Sequence, residues 1–183
     1  EAEKLFLEAL QMRREVLPET HPHIAQTLGN LGSIHFYKEN YDESISVFTE
    51  VVNIQRNLLG DSHPELATYI NNLAVVYQTA GEPENALPLY REAIGILQTH
   101  FEVAHPSTMR MRSNLAGLYD KLEQYDKAEQ MFLENYEFMK EKNGVEDSKT
   151  LEHLQALVDF YKKWEKPQKE EQYMIILAAH SNE

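Results

Sequence analysis

The sequence contains no cysteine, which excludes a disulfide scaffold and any thiolate metal site. Glycine and proline number seven each in 183 residues, too few for a low-complexity or collagen-like chain. No apolar run approaches the ~20 residues a membrane span needs; the run Met174-Ile175-Ile176-Leu177-Ala178-Ala179 is far too short. Basic residues are outnumbered, 17 Lys and Arg against 30 Asp and Glu, for a net charge of −13. Such a field repels the phosphates of nucleic acid and of an anionic membrane, so neither is an expected partner. No Gly-rich phosphate loop, nucleophile elbow or catalytic triad pattern occurs, so neither an enzyme nor a cofactor is expected.

The N-terminus, Glu1-Ala2-Glu3-Lys4, has no initiating Met and no signal-peptide pattern. It begins inside an amphipathic stretch, which reads as a piece cut from a longer protein, and the expected location is cytoplasmic. Hydrophobic residues make up 42% and charged residues 26%, the usage of a folded chain rather than a disordered one.

What the sequence does hold is a repeat. His-Pro recurs at His21-Pro22, His63-Pro64 and His105-Pro106, 42 residues apart each time, and one more step lands on Asp147-Ser148. Asn30-Leu31-Gly32 falls on Asn72-Leu73-Ala74, Asn114-Leu115-Ala116 and Ala156-Leu157-Val158. Phe48, Tyr90, Phe132 and Met174 also coincide, each four residues after Ser44, Ala86, Ala128 or Glu170. Ala2, Phe6 and Leu10 match Ser44, Phe48 and Val52, so residues 1–20 hold the second helix of a truncated repeat. Whole repeats then run over 21–62, 63–104 and 105–146, and a degenerate one over 147–183, as a single array.

Two helices fit each period. Apolar positions at Leu28, Leu31 and Ile34 make one buried stripe of the first. Pro64 and Pro106 suit its first position, where the missing N–H has no intrahelical partner. The second ends near Gly60 and Gly144 in two repeats, which suits a left-handed residue after the helix. The predicted helices cover 1–17, 22–38, 41–58, 64–80, 83–99, 106–122, 125–143, 148–163 and 167–181. Hairpins this short must stack on one another to bury their apolar faces. The terminal apolar run is expected to close the core over Tyr161 and Trp164.

The residues Leu73-Ala74, Tyr77, Ala86 and Tyr90 resemble the tetratricopeptide repeat, in the 42-residue variety of kinesin light chains. Leu59-Gly60-Asp61-Ser62-His63-Pro64 and Ala86-Leu87-Pro88-Leu89-Tyr90 carry the likeness further, and Pro88 is expected to kink or loosen its helix. The resemblance implies an all-α, right-handed solenoid of stacked helix-turn-helix units, about nine helices in all. It also implies an intracellular scaffold that binds a protein partner through a groove lined by the first helix of each repeat. Val158 and Glu170 replace small residues, in keeping with a degenerate cap.

Eight histidines invite a metal reading, but those of the His-Pro pairs lie one repeat apart instead of converging, and capping is the expected role. The paired carboxylates Glu170-Glu171 fit a solvated helix face. The Asn series is more informative. An amide offers one acceptor and two donors, so Asn30, Asn72 and Asn114 could pair with a peptide backbone or tie neighbouring helices together. Carried over from the resemblance, the groove comprises Asn30, Ser33 and Tyr37; Asn71, Asn72, Val75 and Thr79; Arg110, Ser113, Asn114, Gly117 and Lys121; and Gln155 and Asp159. The main alternative is a scaffold or sensor segment of a larger signalling protein, acting by self-association or intramolecular inhibition. Apolar Leu5, Phe6 and Met12 at the truncated N-terminal edge would serve such contacts.

Overall fold

The computed structural model describes residues 1–101 and 105–180. Among them lie nine α-helices and no strand: α1 (Ala2–Val16), α2 (Pro22–Tyr37), α3 (Tyr41–Leu59), α4 (Pro64–Ala80), α5 (Pro83–Gln98), α6 (Pro106–Lys121), α7 (Tyr125–Asn143), α8 (Ser148–Lys163) and α9 (Pro167–His180). Every boundary except the C-terminal end of α9 lies within one residue of that predicted from the sequence. The predicted helix end at 181 and the repeat boundaries at 104 and 183 fall outside the described residues.

The His-Pro pairs start helices through both of their residues. Proline takes the first helical turn, and the histidine before it caps that turn with its ring. His21 Nδ1 accepts from the His23 N–H at 3.1 Å, His63 from Glu65 at 3.2 Å, and His105 from Ser107 at 3.3 Å. Asp147 does the same for α8, accepting from the N–H groups of Lys149 and Thr150. These bonds satisfy donors that would otherwise lack a partner.

The turn inside each hairpin is equally regular. Glu39, Gly81, Glu123 and Glu165, spaced by 42, all have positive φ, between 56° and 85°. The following N–H then reaches back five residues, from Asn40 to His35 and from Glu82, Gln124 and Lys166 to Tyr77, Tyr119 and Tyr161, at 2.9–3.0 Å. That is the Schellman closure. Gly60 and Gly144, expected to be left-handed helical, have φ of 84° and 88° but ψ of 163° and 164°. They lie in an extended region open essentially to glycine alone, because the chain must straighten before the next His-Pro or Asp cap. Pro88 does not end its helix: α5 runs unbroken from Pro83 to Gln98, with the proline ring exposed.

The chain divides between His100 and Phe101 into two compact units, whereas the repeat pattern alone treats 1–183 as one array. In the first unit, Leu10 of α1, Ile24, Leu28 and Leu31 of α2, and Val51 and Ile54 of α3 form one buried cluster. α4 packs on both α3 and α5. Phe48 lies against Gly32, where an added Cβ would come 2.9 Å from the ring. Tyr90 is fully enclosed and donates to Gln78 Oε1 at 2.6 Å. Arg14 pairs with Glu50 and Arg56 with Glu92, linking successive second helices at the 42-residue interval. These pairs are solvated and contribute little each.

In the second unit α6 packs on α7, α7 on α8 and α8 on α9. Arg112 on α6 reaches Glu134 and bonds Asn135 Oδ1 at 2.9 Å on α7, at positions where the repeat before has the fully buried apolar residues Ile70 and Ala93. α9 does not lay its whole apolar run on the core. Tyr173 stacks on buried Tyr161, with ring centroids 5.6 Å apart, but Met174 and Ile175 remain 49% and 64% exposed. Helical periodicity turns Glu170, Tyr173, Leu177 and His180 inward together and the other two outward.

Glu129 accepts from Tyr161 Oη at 2.7 Å and pairs with Lys169, joining α7 to α8 and α9. Burial raises its carboxyl pKa, but those two partners outweigh it and hold the group below its ordinary value. The folded value thus lies below the unfolded one. The stabilisation is complete above the ordinary carboxylate range and is lost as the pH falls through the folded value. Glu129→Gln should therefore melt at a lower temperature than wild type near pH 7, and the two melts should converge on acidification.

His63→Ala should lower the unfolding free energy by about 1 kcal/mol, the usual contribution of such a cap. His63→Asp should restore it, as Asp147 does for α8. Urea unfolding with unchanged slope distinguishes both from a change in the unfolded chain.

Candidate functional site

In the first unit, α2 and α4 present their free sides to a shared cavity of about 730 Å³. Gly29, Asn30 and Ser33 of α2, Phe48 and Leu58 of α3, and Glu65, Tyr69 and Asn72 of α4 line it. A smaller adjoining pocket of about 180 Å³ is walled by Ser33, Phe36, Tyr37, Phe48, Asn72, Val75 and Val76. Asn72 is half-buried between the two, and Asn30 is exposed at the rim. α2 contains no Asp, Glu, Lys or Arg, and α4 contains only Glu65. Burial and neighbouring Glu65, which accepts from the Tyr69 hydroxyl, raise the Tyr69 pKa. Gly29 sits in mid-helix with nothing within 4 Å of a built Cβ, so packing gives no reason for the missing side chain.

The second unit has a cavity of about 440 Å³ lined by Met109, Arg110, Ser113, Asn114, Met139, Lys142, Asn143, Lys149, Glu152 and His153, with Pro106 at its end. Every one of these except Glu152 stands 84 residues, two repeats, after a residue that lines the first cavity. The register is kept while the chemistry changes. Arg110 replaces Gln26, Lys142 replaces Leu58 and Lys149 replaces Glu65. Burial pushes the His153 imidazole below its ordinary pKa, with Glu152 acting against it. Among the described residues, no three His, Asp or Glu side chains converge on a metal position.

Most of the residues expected in the groove fall in these cavities: Asn30, Ser33, Tyr37, Asn72 and Val75 in the first unit, and Arg110, Ser113 and Asn114 in the second. Asn71 does not. It is only 4% exposed, because one residue along a helix is a rotation of about 100°, which turns it into the core beside Ile70 and Ala74. Ser33 and Thr79 give their hydroxyls to their own helix, at Gly29 O and Val75 O. Gln155 Nε2 donates to Asp159 Oδ1 at 2.8 Å on an exposed face of α8, and neither residue lines this unit's cavity described above. Gly117 and Lys121 also lie outside the cavities. Sequence reasoning did not pick out Lys142, Lys149 and His153. They become visible only when the residues around the first cavity are carried forward by two periods.

Residues 1–52 and 23–99, and then 108–148, match tetratricopeptide repeat family descriptions. The chain belongs to the tetratricopeptide repeat family. Its last repeat, 147–183, lies beyond the matched residues except for its first two positions. Against curated proteins the sequence finds no match. Among solved structures it is similar to a kinesin-light-chain-type protein of Podosopora anserina with nearly identical TPR-like repeats. That likeness has 20% identity and a TM-score of 0.88, and covers 98% of this chain and 85% of the other. BtubC (BKLC) from P. vanneervenii is similar over 99% of this chain and 74% of its own, at 20% identity and a TM-score of 0.79. The fold is thus an all-α solenoid of stacked tetratricopeptide hairpins, a class that serves protein–protein interaction.

In this tetratricopeptide array Gly29 and Gly32 lie one turn apart in α2 with opposite surroundings. Gly29→Ala should raise stability by about 0.5–1 kcal/mol, since only backbone entropy changes. Gly32→Ala should lower it by about 1 kcal/mol or more, because the enclosed Phe48 ring must move. Thermal melts of the two variants check both signs.

Proposed function

We propose that this protein–protein interaction module holds an extended segment of its partner across α2 and α4 of the first unit. The observation that carries this reading is that two amides, Asn30 from α2 and Asn72 from α4, line one cavity together with an open helical glycine, Gly29. Each amide can donate to a backbone carbonyl and accept from a backbone N–H, and the missing Cβ leaves room for a chain to come close. Neither amide is needed to fill the core. The helices around them are held by Leu28, Leu31, Ile70 and Leu73.

A second mode is favoured by α1, where Leu5, Met12 and Val16 are 56%, 67% and 79% exposed. Met12 stands where Ile54 and Ile96 are buried in the following repeats, so this stripe fits a covering helix from another copy or from a partner. Binding on α1 would be untouched by changes at Asn30 and Asn72, which separates the two modes.

A hydrogen bond contributes about 1 kcal/mol net. Asn30→Ala with Asn72→Ala should therefore weaken partner binding roughly 30-fold, with an unchanged melting temperature. Calorimetric titration beside a thermal melt tests this. Lost stability with unchanged affinity would make the amides ties between helices and end the groove reading.

A further inference from the structure

The residues lining the two adjoining cavities between α2 and α4 carry one formal charge between them, that of Glu65. This is unusual for a chain in which 26% of residues are charged. Nor does the fold impose it. At the same register in the second unit Arg110, Lys142 and Lys149 stand where the first has Gln26, Leu58 and Glu65. The hairpins accept cations at these positions, so their absence from the first unit is a property of its site.

A charged ligand side chain entering this wall beyond the reach of Glu65, which stands at the start of α4, would give up hydration and find no counter-charge, a loss of several kcal/mol for a buried ion. A neutral backbone meets no such barrier, because Asn30 and Asn72 supply both halves of an amide pairing. The small pocket specifies one further feature. Its volume of about 180 Å³ is below the ~300–1,000 Å³ of sites for whole small molecules. It has the size for one side chain, and Phe36, Phe48, Val75 and Val76 make that side chain apolar. Tyr37, 84% exposed at its edge, is an aromatic surface still to be covered. α2 is about 24 Å long at the helical rise, which an extended segment of about seven residues would match.

We propose that the first unit selects an uncharged extended peptide segment that places one bulky apolar side chain between Tyr37 and Val75. This rests on the groove reading above and adds what the partner must be. Association should depend little on salt, since no ion pair forms.

The test passes the full 183-residue chain over a displayed library of random, terminally blocked peptides of about seven residues. Parallel selections use Tyr37→Ser and Asn72→Ala, each first shown to melt like wild type. Sequences recovered by wild type but lost by about tenfold or more in both variants define the ligands of this site. They should lack Asp, Glu, Lys and Arg around one Leu, Phe, Met or Trp, and should bind equally at low and high salt. Replacing Gln26, Leu58 and Glu65 by Arg, Lys and Lys should turn the selection towards acidic peptides. If the sequences lost in both variants are rich in acidic or basic residues, the neutrality inference falls while the groove reading stands. If neither variant loses any sequence, the groove reading falls and takes this inference with it.

Discussion

The contact between the Phe48 ring and the backbone at Gly32 sets the distance between α2 and α3, and much of the first unit follows from it. Ser44, one turn earlier on α3, secures the same residue by donating its hydroxyl to the Gly32 carbonyl at 2.9 Å. Helices of 14 to 19 residues are marginal in water by themselves, so their stability comes from the neighbour they touch. Once a first helix and a second helix are fixed at close approach, the next first helix has one slot left, against the exposed side of the second. Ala74 with Tyr90 repeats the arrangement, and both are fully enclosed. In the last hairpin Val158 and Met174 take these places. Met174 is half exposed, and contact passes instead to the stacked rings of Tyr161 and Tyr173.

Much of this architecture was legible in the sequence because its punctuation has direct physical meaning. Proline suits the first turn of a helix, and finding it after a histidine three times at one interval gave the period. The hairpin turns were less legible. Gly81 shows a left-handed position openly, but Glu39, Glu123 and Glu165 hide the same conformation behind an L side chain that disfavours it by about 1–2 kcal/mol. The Schellman bonds to His35, Tyr119 and Tyr161 offset that strain, and nothing in the identity of a glutamate announces it.

The candidate site was legible in outline and not in its charge. Register alone placed Asn30, Asn72 and Asn114 on equivalent walls, since all three share one face of equivalent helices. The groove set carried over from the resemblance took Asn71 along with Asn72, although one step along the helix turns a side chain by about 100° and sends Asn71 into the core. It also missed that Arg110 shares a cavity with Lys142 and Lys149, which come from the end of one helix and the start of the next. Cations scattered along a sequence look like solvated surface. Only the fold brings them around one opening.

Each cavity is assembled from both helices of one hairpin and the first helix of the hairpin that follows. No single repeat owns such a cavity; ownership is shared across a seam. A duplicated repeat therefore brings a complete structural unit but only part of a recognition surface, whose remaining wall comes from whatever hairpin it lands beside. Shuffling whole repeats of 42 residues would leave the scaffold intact while composing new pockets at every junction. An array of this kind can thus diversify in what it recognises by changing the order of its parts, with their internal packing untouched.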